Sequence, residues 1–130
     1  MYRAETRGVV VTVEPAFSED RSSPDAGAYF WTYTIEIANT GAETVQLINR
    51  RWLIVDASGK TFEVRGPGVV GEQPVLGPGE AFRYTSGVPL ATPSGMMSGS
   101  YEMATASGER FHAAIPAFSL DSPYVKPTIN

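Results

Sequence analysis

The chain has 130 residues, 42% of them hydrophobic, no cysteine and a formal net charge of −4. That length suits one domain able to bury a sizeable core, and the hydrophobic share excludes a disordered chain. The missing cysteines exclude disulfides, cysteine-ligated zinc, iron–sulfur clusters and cysteine nucleophiles, and the acidic balance argues against nucleic acid or anionic lipid as partners.

The first segment, "MYRAETRGVVVTVEP", has an apolar run of only Val9, Val10 and Val11, too short for a secretory leader. No stretch approaches the roughly 20 apolar residues of a membrane span, so the expected location is the cytoplasm. From Arg7 to Pro15, Val9, Val11 and Val13 alternate with Val10, Thr12 and Glu14, the period of a half-buried strand. Residues 18–27, "SEDRSSPDAG", carry no pattern and read as a flexible loop. "YFWTYTIEIAN" follows, with Trp31, Tyr33, Ile35 and Ile37 on one side and Thr32, Thr34 and Glu36 on the other. After the turn "NTGAE", the run "TVQLINRRWLIV" is apolar on both faces, which predicts a central strand covered twice or one with a bulge. "DASGK" closes a hairpin onto "TFEV". The later strands are "EAFRYTSGV", "GSYEMAT" and "ERFHAAIPAF", the last two joined by a turn in which Gly108 supplies positive φ. Residues 121–130 read as a surface tail. Seven short strands punctuated by turns predict an all-β antiparallel sandwich of immunoglobulin or fibronectin type III kind in a single domain, 1–130, with an antiparallel barrel as the alternative.

Between "TFEV" and "EAFRYTSGV" lies "RGPGVVGEQPVLGPGE", in which Gly66, Gly68 and Gly71 fit the G-x-G-x-x-G spacing of a dinucleotide-binding loop. Such a loop grips phosphate because it joins a strand to a helix whose N-terminus offers free N–H groups. Here Pro74, Pro78, Gly77 and Gly79 follow, which would stop a helix, so the glycines are expected to turn the backbone through a crossing between sheets. Val69, Val70, Val75 and Leu76 would pin that crossing to the body. A weak anion site on the glycine N–H groups beside Arg65 is the minority reading.

Other residues carry less. His112, the only histidine, is expected to face outward between inward Phe111, Ala113 and Ile115. With one His and no Cys, an imidazole metal cluster cannot form, and Glu19, Asp20 and Asp25 lack the spacing of a calcium loop. No G-x-S-x-G elbow supports a nucleophilic serine. "NRRWL" is the better lead, since arginine and tryptophan are enriched in binding hot spots; the plain alternative packs Trp52 in the core with Arg50 and Arg51 snorkelling.

From "VQLINRRWLIVDASGK" through "GVVG", "PGE", "YTSG" and "SGSYEM" to the closing "IPAFSL", the chain resembles the ApaG family, also called CorD, over Val9 to Leu120. The resemblance implies a fibronectin type III-like or immunoglobulin-like sandwich. It implies a genetic link to cobalt resistance and magnesium efflux, and kinship with domains of F-box and polymerase-delta-interacting proteins for which protein binding is proposed. It also brings the suggestion that the glycine loop takes pyrophosphate or nucleotide. This chain departs there: Pro67 stands where relatives often carry a polar or acidic residue, and it offers no N–H. A direct cobalt site is disfavoured by the lack of soft ligands.

The expected function is a non-enzymatic protein-interaction module without cofactor or metal. An unknown protein partner would be contacted by Arg50, Arg51, Trp52, Tyr84, Ser86 and the glycine loop. The alternative is a sensor of small phosphate compounds using Arg65, Gly66, Gly68 and Gly71. Neither nucleic acid nor membrane is expected, and the chain would be a monomer or a weak homodimer through its edge strands.

Overall fold

The computed structural model describes residues 1–125. It is an antiparallel sandwich of nine strands: β1 Tyr2–Thr6, β2 Val9–Phe17, β3 Tyr29–Asn39, β4 Val45–Asp56, β5 Thr61–Pro67, β6 Val75–Leu76, β7 Ala81–Leu90, β8 Gly95–Thr105 and β9 Arg110–Leu120. One sheet runs β1-β2-β3-β7 and the other β5-β4-β8-β9, with β6 attached to β4. The only helical turn among the described residues is a 3₁₀ turn at Pro24–Ala26. No helix among them is long and apolar enough to cross a membrane.

Alternation of apolar and polar residues chooses the inner face. Val9, Val11, Val13, Trp31, Ile35 and Ile37 from one sheet meet Leu47, Trp52, Met97, Tyr101, Met103 and Phe118 from the other, all buried. Of the two alternatives for β4, double coverage or a bulge, the bulge is present, a register shift between Leu47 and Asn49. It moves Arg50, Trp52 and Ile54 to the inner side and leaves Asn49, Arg51 and Leu53 outside.

Two elements were not expected. β1 is the first: "YRAET" has one β-branched residue, and its turn onto β2 is Arg7-Gly8, with φ of 49° and 83°, a two-residue reversal with both φ positive. The second is β6, two residues that pair with Val45 and Gln46 midway along the crossing from β5 to β7. The crossing does pass from one sheet to the other, and among the described residues no helix follows Gly71. Val69 and Leu76 pin it as expected, but Val70 and Val75 point to solvent, 56% and 59% exposed. They cannot anchor it. Polar groups do that work instead. Ile48 O at the β4 bulge accepts hydrogen bonds from Gly68 N and Gln73 Nε2, both at 2.9 Å, and buried Asn39 holds Leu76 O at 2.9 Å.

Residues 18–27 form a hydrogen-bonded turn, closed by Ser23 N to Ala28 O at 2.7 Å and by Ser22 Oγ to Ser18 O at 2.6 Å. Tyr124 lies over it, its hydroxyl donating to Glu19 and its ring against Phe17 and Tyr29. The expected tail thus follows the surface as far as 125, and 126–130 lie outside the described residues.

Candidate functional site

Strands β4, β5 and β7 and the crossing meet at the flank where β5 and β7 are the last strands of their sheets. There they line a cleft of about 410 Å³, formed by Arg50, Trp52 and Ile54 of β4, Val64 of β5, Val69 to Gly71 of the crossing, and Tyr84 and Ser86 to Pro89 of β7, with Tyr33 and Met97 behind. The cleft exists because β5 overhangs. Its inward residues Phe62 and Val64 have no strand of the facing sheet above them and stay 39% and 41% exposed.

Arg50 is the cation of this cleft. Its Nη1 donates to Pro67 O and Gly68 O, each at 3.0 Å. Among the described residues it has no carboxylate partner, whereas Arg3, Arg7, Arg51, Arg65 and Arg110 all do. The guanidinium lies against the main chain of Gly66, where an added Cβ would stand 2.9 Å from Nη1 and 3.0 Å from Cζ. A side chain at Gly66 would have to displace this guanidinium.

The other two glycines of the motif have equally local reasons. Gly68 has φ of 60°, and a Cβ there would sit 2.1 Å from Glu72 O; Gly71 has φ of 81° at an open turn. The backbone donors are mostly committed as well. Gly68 N–H is bonded to Ile48 O, and Val69 and Glu72 exchange N–H···O bonds of 2.8 and 2.9 Å, while Pro67 has none to give. Of the N–H groups a phosphate nest would draw on here, those of Gly68, Val69 and Glu72 are thus taken by the chain itself.

Between the glycines stands Val70, exposed and at φ of 44°. A β-branched residue in the left-handed region is strained, by about 1–3 kcal/mol. Here that strain presents an apolar side chain to solvent at the cleft rim.

The floor is aromatic. Trp52 and Tyr84 are buried, 3% and 8% exposed, so they shape the cleft and do not project from it; Ser86 is half-buried beside them. Tyr84 and Tyr101 share a hydroxyl–hydroxyl bond of 2.5 Å. Burial pushes the Tyr33, Tyr84 and Tyr101 hydroxyls above the ordinary tyrosine value, so they remain neutral donors.

The outer face of the same sheet holds the remaining predicted residues. Arg51 and Arg65 are cross-strand neighbours, and Glu63 bridges them at 2.7 and 3.0 Å. Hydrogen bonds from Arg65 and then Arg51 hold the Glu63 carboxyl below the usual carboxylate range. A depression of about 450 Å³ is lined by Asn49, Arg51, Arg65, Ser100, Glu102 and His112, together with Arg50, Gly66 and Pro67. His112 faces outward there, as expected. The structure thus separates the two arginines of "NRRWL": Arg50 enters the cleft and Arg51 lies on the opposite face. Arg65 sits with Arg51, away from the glycine N–H groups it was paired with in sequence. Tyr33 and Val64 joined the site without any motif to mark them, and Val70, inside the glycine motif, was read as an anchor. Among the described residues no three His, Asp or Glu side chains converge as metal ligands, and Glu19 is taken by Tyr124.

The family model for the ApaG domain matches residues 19–105. Protein ApaG of Methylobacterium sp. (strain 4-46) is 64% identical over 126 residues, 97% of each chain, and Protein ApaG of Bradyrhizobium sp. (strain ORS 278) is 62% identical over the whole of both. A crystal structure of a Bordetella pertussis protein described as ApaA superposes with a TM-score of 0.87 at 44% identity, covering 90% of this chain and 95% of that one. The chain belongs to the ApaG family.

Proposed function

We propose that the chain is a non-enzymatic protein-interaction module whose contact surface is the cleft between β5 and β7. One observation carries this reading: Val70 is held in a strained left-handed conformation with its apolar side chain in solvent. A turn under no other demand would place glycine or asparagine there. Beside it stands Arg50, a half-buried guanidinium with no carboxylate from the described residues. A partner segment that sets an apolar side chain against Val70 and an acidic one against Arg50 satisfies both. Arginine and apolar anchors in partly desolvated clefts are the residues that dominate interface energies.

The test exploits the strain. Val70→Gly should stabilise the fold, by about 1 kcal/mol after the entropic cost of glycine is deducted. Affinity capture from the native cell, read by mass spectrometry, should meanwhile lose the specific partner. Capture that survives both Val70→Gly and Arg50→Gln at wild-type level overturns the assignment.

A second reading places a small phosphate-bearing ligand in the outer depression. Arg51, Arg65, Ser100 and His112 converge there, which favours this face over the glycine N–H groups. Titration with pyrophosphate at low salt should then shift the amides of 51, 65, 100 and 112. Shifts confined to residues 68–72, or none, exclude it.

A further inference from the structure

We propose that β5 pairs antiparallel with β5 of a second copy about a two-fold axis at Val64, fusing two sandwiches through one continuous sheet. This goes beyond the cleft reading and does not depend on it.

The free edge comes first. Lys60 O accepts from Asp56 N and Gly68 N donates to Ile48 O, both at 2.9 Å, so these even-numbered residues turn their main-chain groups into β4. Antiparallel ladders alternate. Phe62, Val64 and Gly66 therefore also face β4, and Thr61, Glu63 and Arg65 turn N–H and C=O outward, where no strand of the described residues pairs with them. Every residue of β5 except Gly66 is exposed.

The register follows from the side chains. A two-fold at Val64 sets Glu63 opposite Arg65 of the second copy, and Arg65 opposite its Glu63. Both are residues with outward main-chain groups, so each pair closes two N–H···O bonds. Thr61 N–H meets Pro67 O of the second copy, and the missing N–H of Pro67 ends the ladder there. On the inner face, Val64 meets Val64, and Phe62 lies across from Gly66, where the Arg50 guanidinium seated on that glycine offers its ring a cationic neighbour. A two-fold at Glu63 would oppose Glu63 to itself, and one at Arg65 would oppose Arg65 to itself; like charges so placed are destabilising. Moving the axis to Phe62 sets Glu63 opposite Thr61 and loses the ion pairs. Charges on an edge strand commonly guard it against pairing. Here one of each sign, two residues apart, makes the strand complementary to its own antiparallel copy.

The absence of cysteine gives a clean background for the test. Facing residues in a non-hydrogen-bonded antiparallel pair have Cα atoms about 4.5 Å apart, within disulfide reach. Val64→Cys should therefore form a covalent dimer under mild oxidation, while Thr61→Cys, whose counterpart is residue 67, should not. Sedimentation of the unmodified chain should show concentration-dependent dimerisation. Glu63→Arg should weaken it by about tenfold or more, as opposite charges become like charges. Glu63→Arg with Arg65→Glu should restore it, since Arg51 then faces an acid at 65. A chain that stays monomeric at every concentration overturns the proposal. So does a dimer in which Thr61→Cys cross-links as readily as Val64→Cys, or one indifferent to Glu63→Arg.

Discussion

The two flanks of this sandwich are finished in opposite ways. At one, β9 is the last strand of its sheet, and β1 of the facing sheet closes over it. Thr6 Oγ1 accepts from Ala114 N at 3.1 Å and the Tyr2 hydroxyl accepts from Ser119 N at 3.3 Å, so side chains occupy main-chain donors of the edge. Arg7 lies over the Phe111 ring and pairs with Glu109. At the other flank, β5 extends past its neighbours with exposed Phe62 and Val64, an unpaired edge and an open cleft. Edge strands are a liability that folds usually manage. Here one is managed and the other is left open, so the open flank is where binding is expected.

The largest contrast is in the cost of removing an aromatic. Phe118, fully buried against Tyr2, Tyr33 and Trp52, holds the closed side of the core. Phe118→Ala should cost about 3–5 kcal/mol in denaturant unfolding. Phe62→Ser should stay within about 0.5 kcal/mol, as surface changes do. Equal costs would mean that the open flank is part of the core. Next is Gly68→Ala, which forces a Cβ onto Glu72 O and a left-handed φ; it should cost about 1–3 kcal/mol and shift the amides of 66–72 by NMR. Thr6→Val should cost only about 0.5 kcal/mol, because the lost bond is exposed, but hydrogen exchange at Ala114 should speed up. The smallest effect concerns Glu63. Its folded pKa is lowered, so its contribution is present above the ordinary carboxylate value of about 4.3 and is lost as pH falls through the lowered one. Melting temperatures of the wild type and Glu63→Gln should differ slightly at neutral pH and converge in acid.

Much of this was legible in the chain itself. Strict alternation in "WTYTIEI" gave both the strand and its buried face, and the doubly apolar "VQLINRRWLIV" offered the bulge as one of two explanations. β1 was not legible, because its short run carries charges at every second position and its Arg-Gly turn lacks the usual Asn or Asp. The crossing was correctly read as a turn, but only half of its anchors were. Hydrophobicity nominated Val69, Val70, Val75 and Leu76; Val69 and Leu76 do hold it, and polar bonds from Gly68, Gln73 and Asn39 replace the other two. The fate of Arg50 and Arg51 depended on the bulge between Leu47 and Asn49, since a one-residue slip exchanges the two faces of a strand. The overhang of β5 depends on how the two sheets align, which no local pattern encodes.

Amide hydrogen exchange along β5, read residue by residue at low and high protein concentration, tests the open flank most directly. In dilute solution Phe62, Val64 and Gly66 should be protected by β4, and Thr61, Glu63 and Arg65 should exchange freely. At high concentration the latter three should gain protection while the rest of the sandwich is unchanged. Uniform protection along β5 in dilute solution, or free exchange of all six at both concentrations, would contradict it.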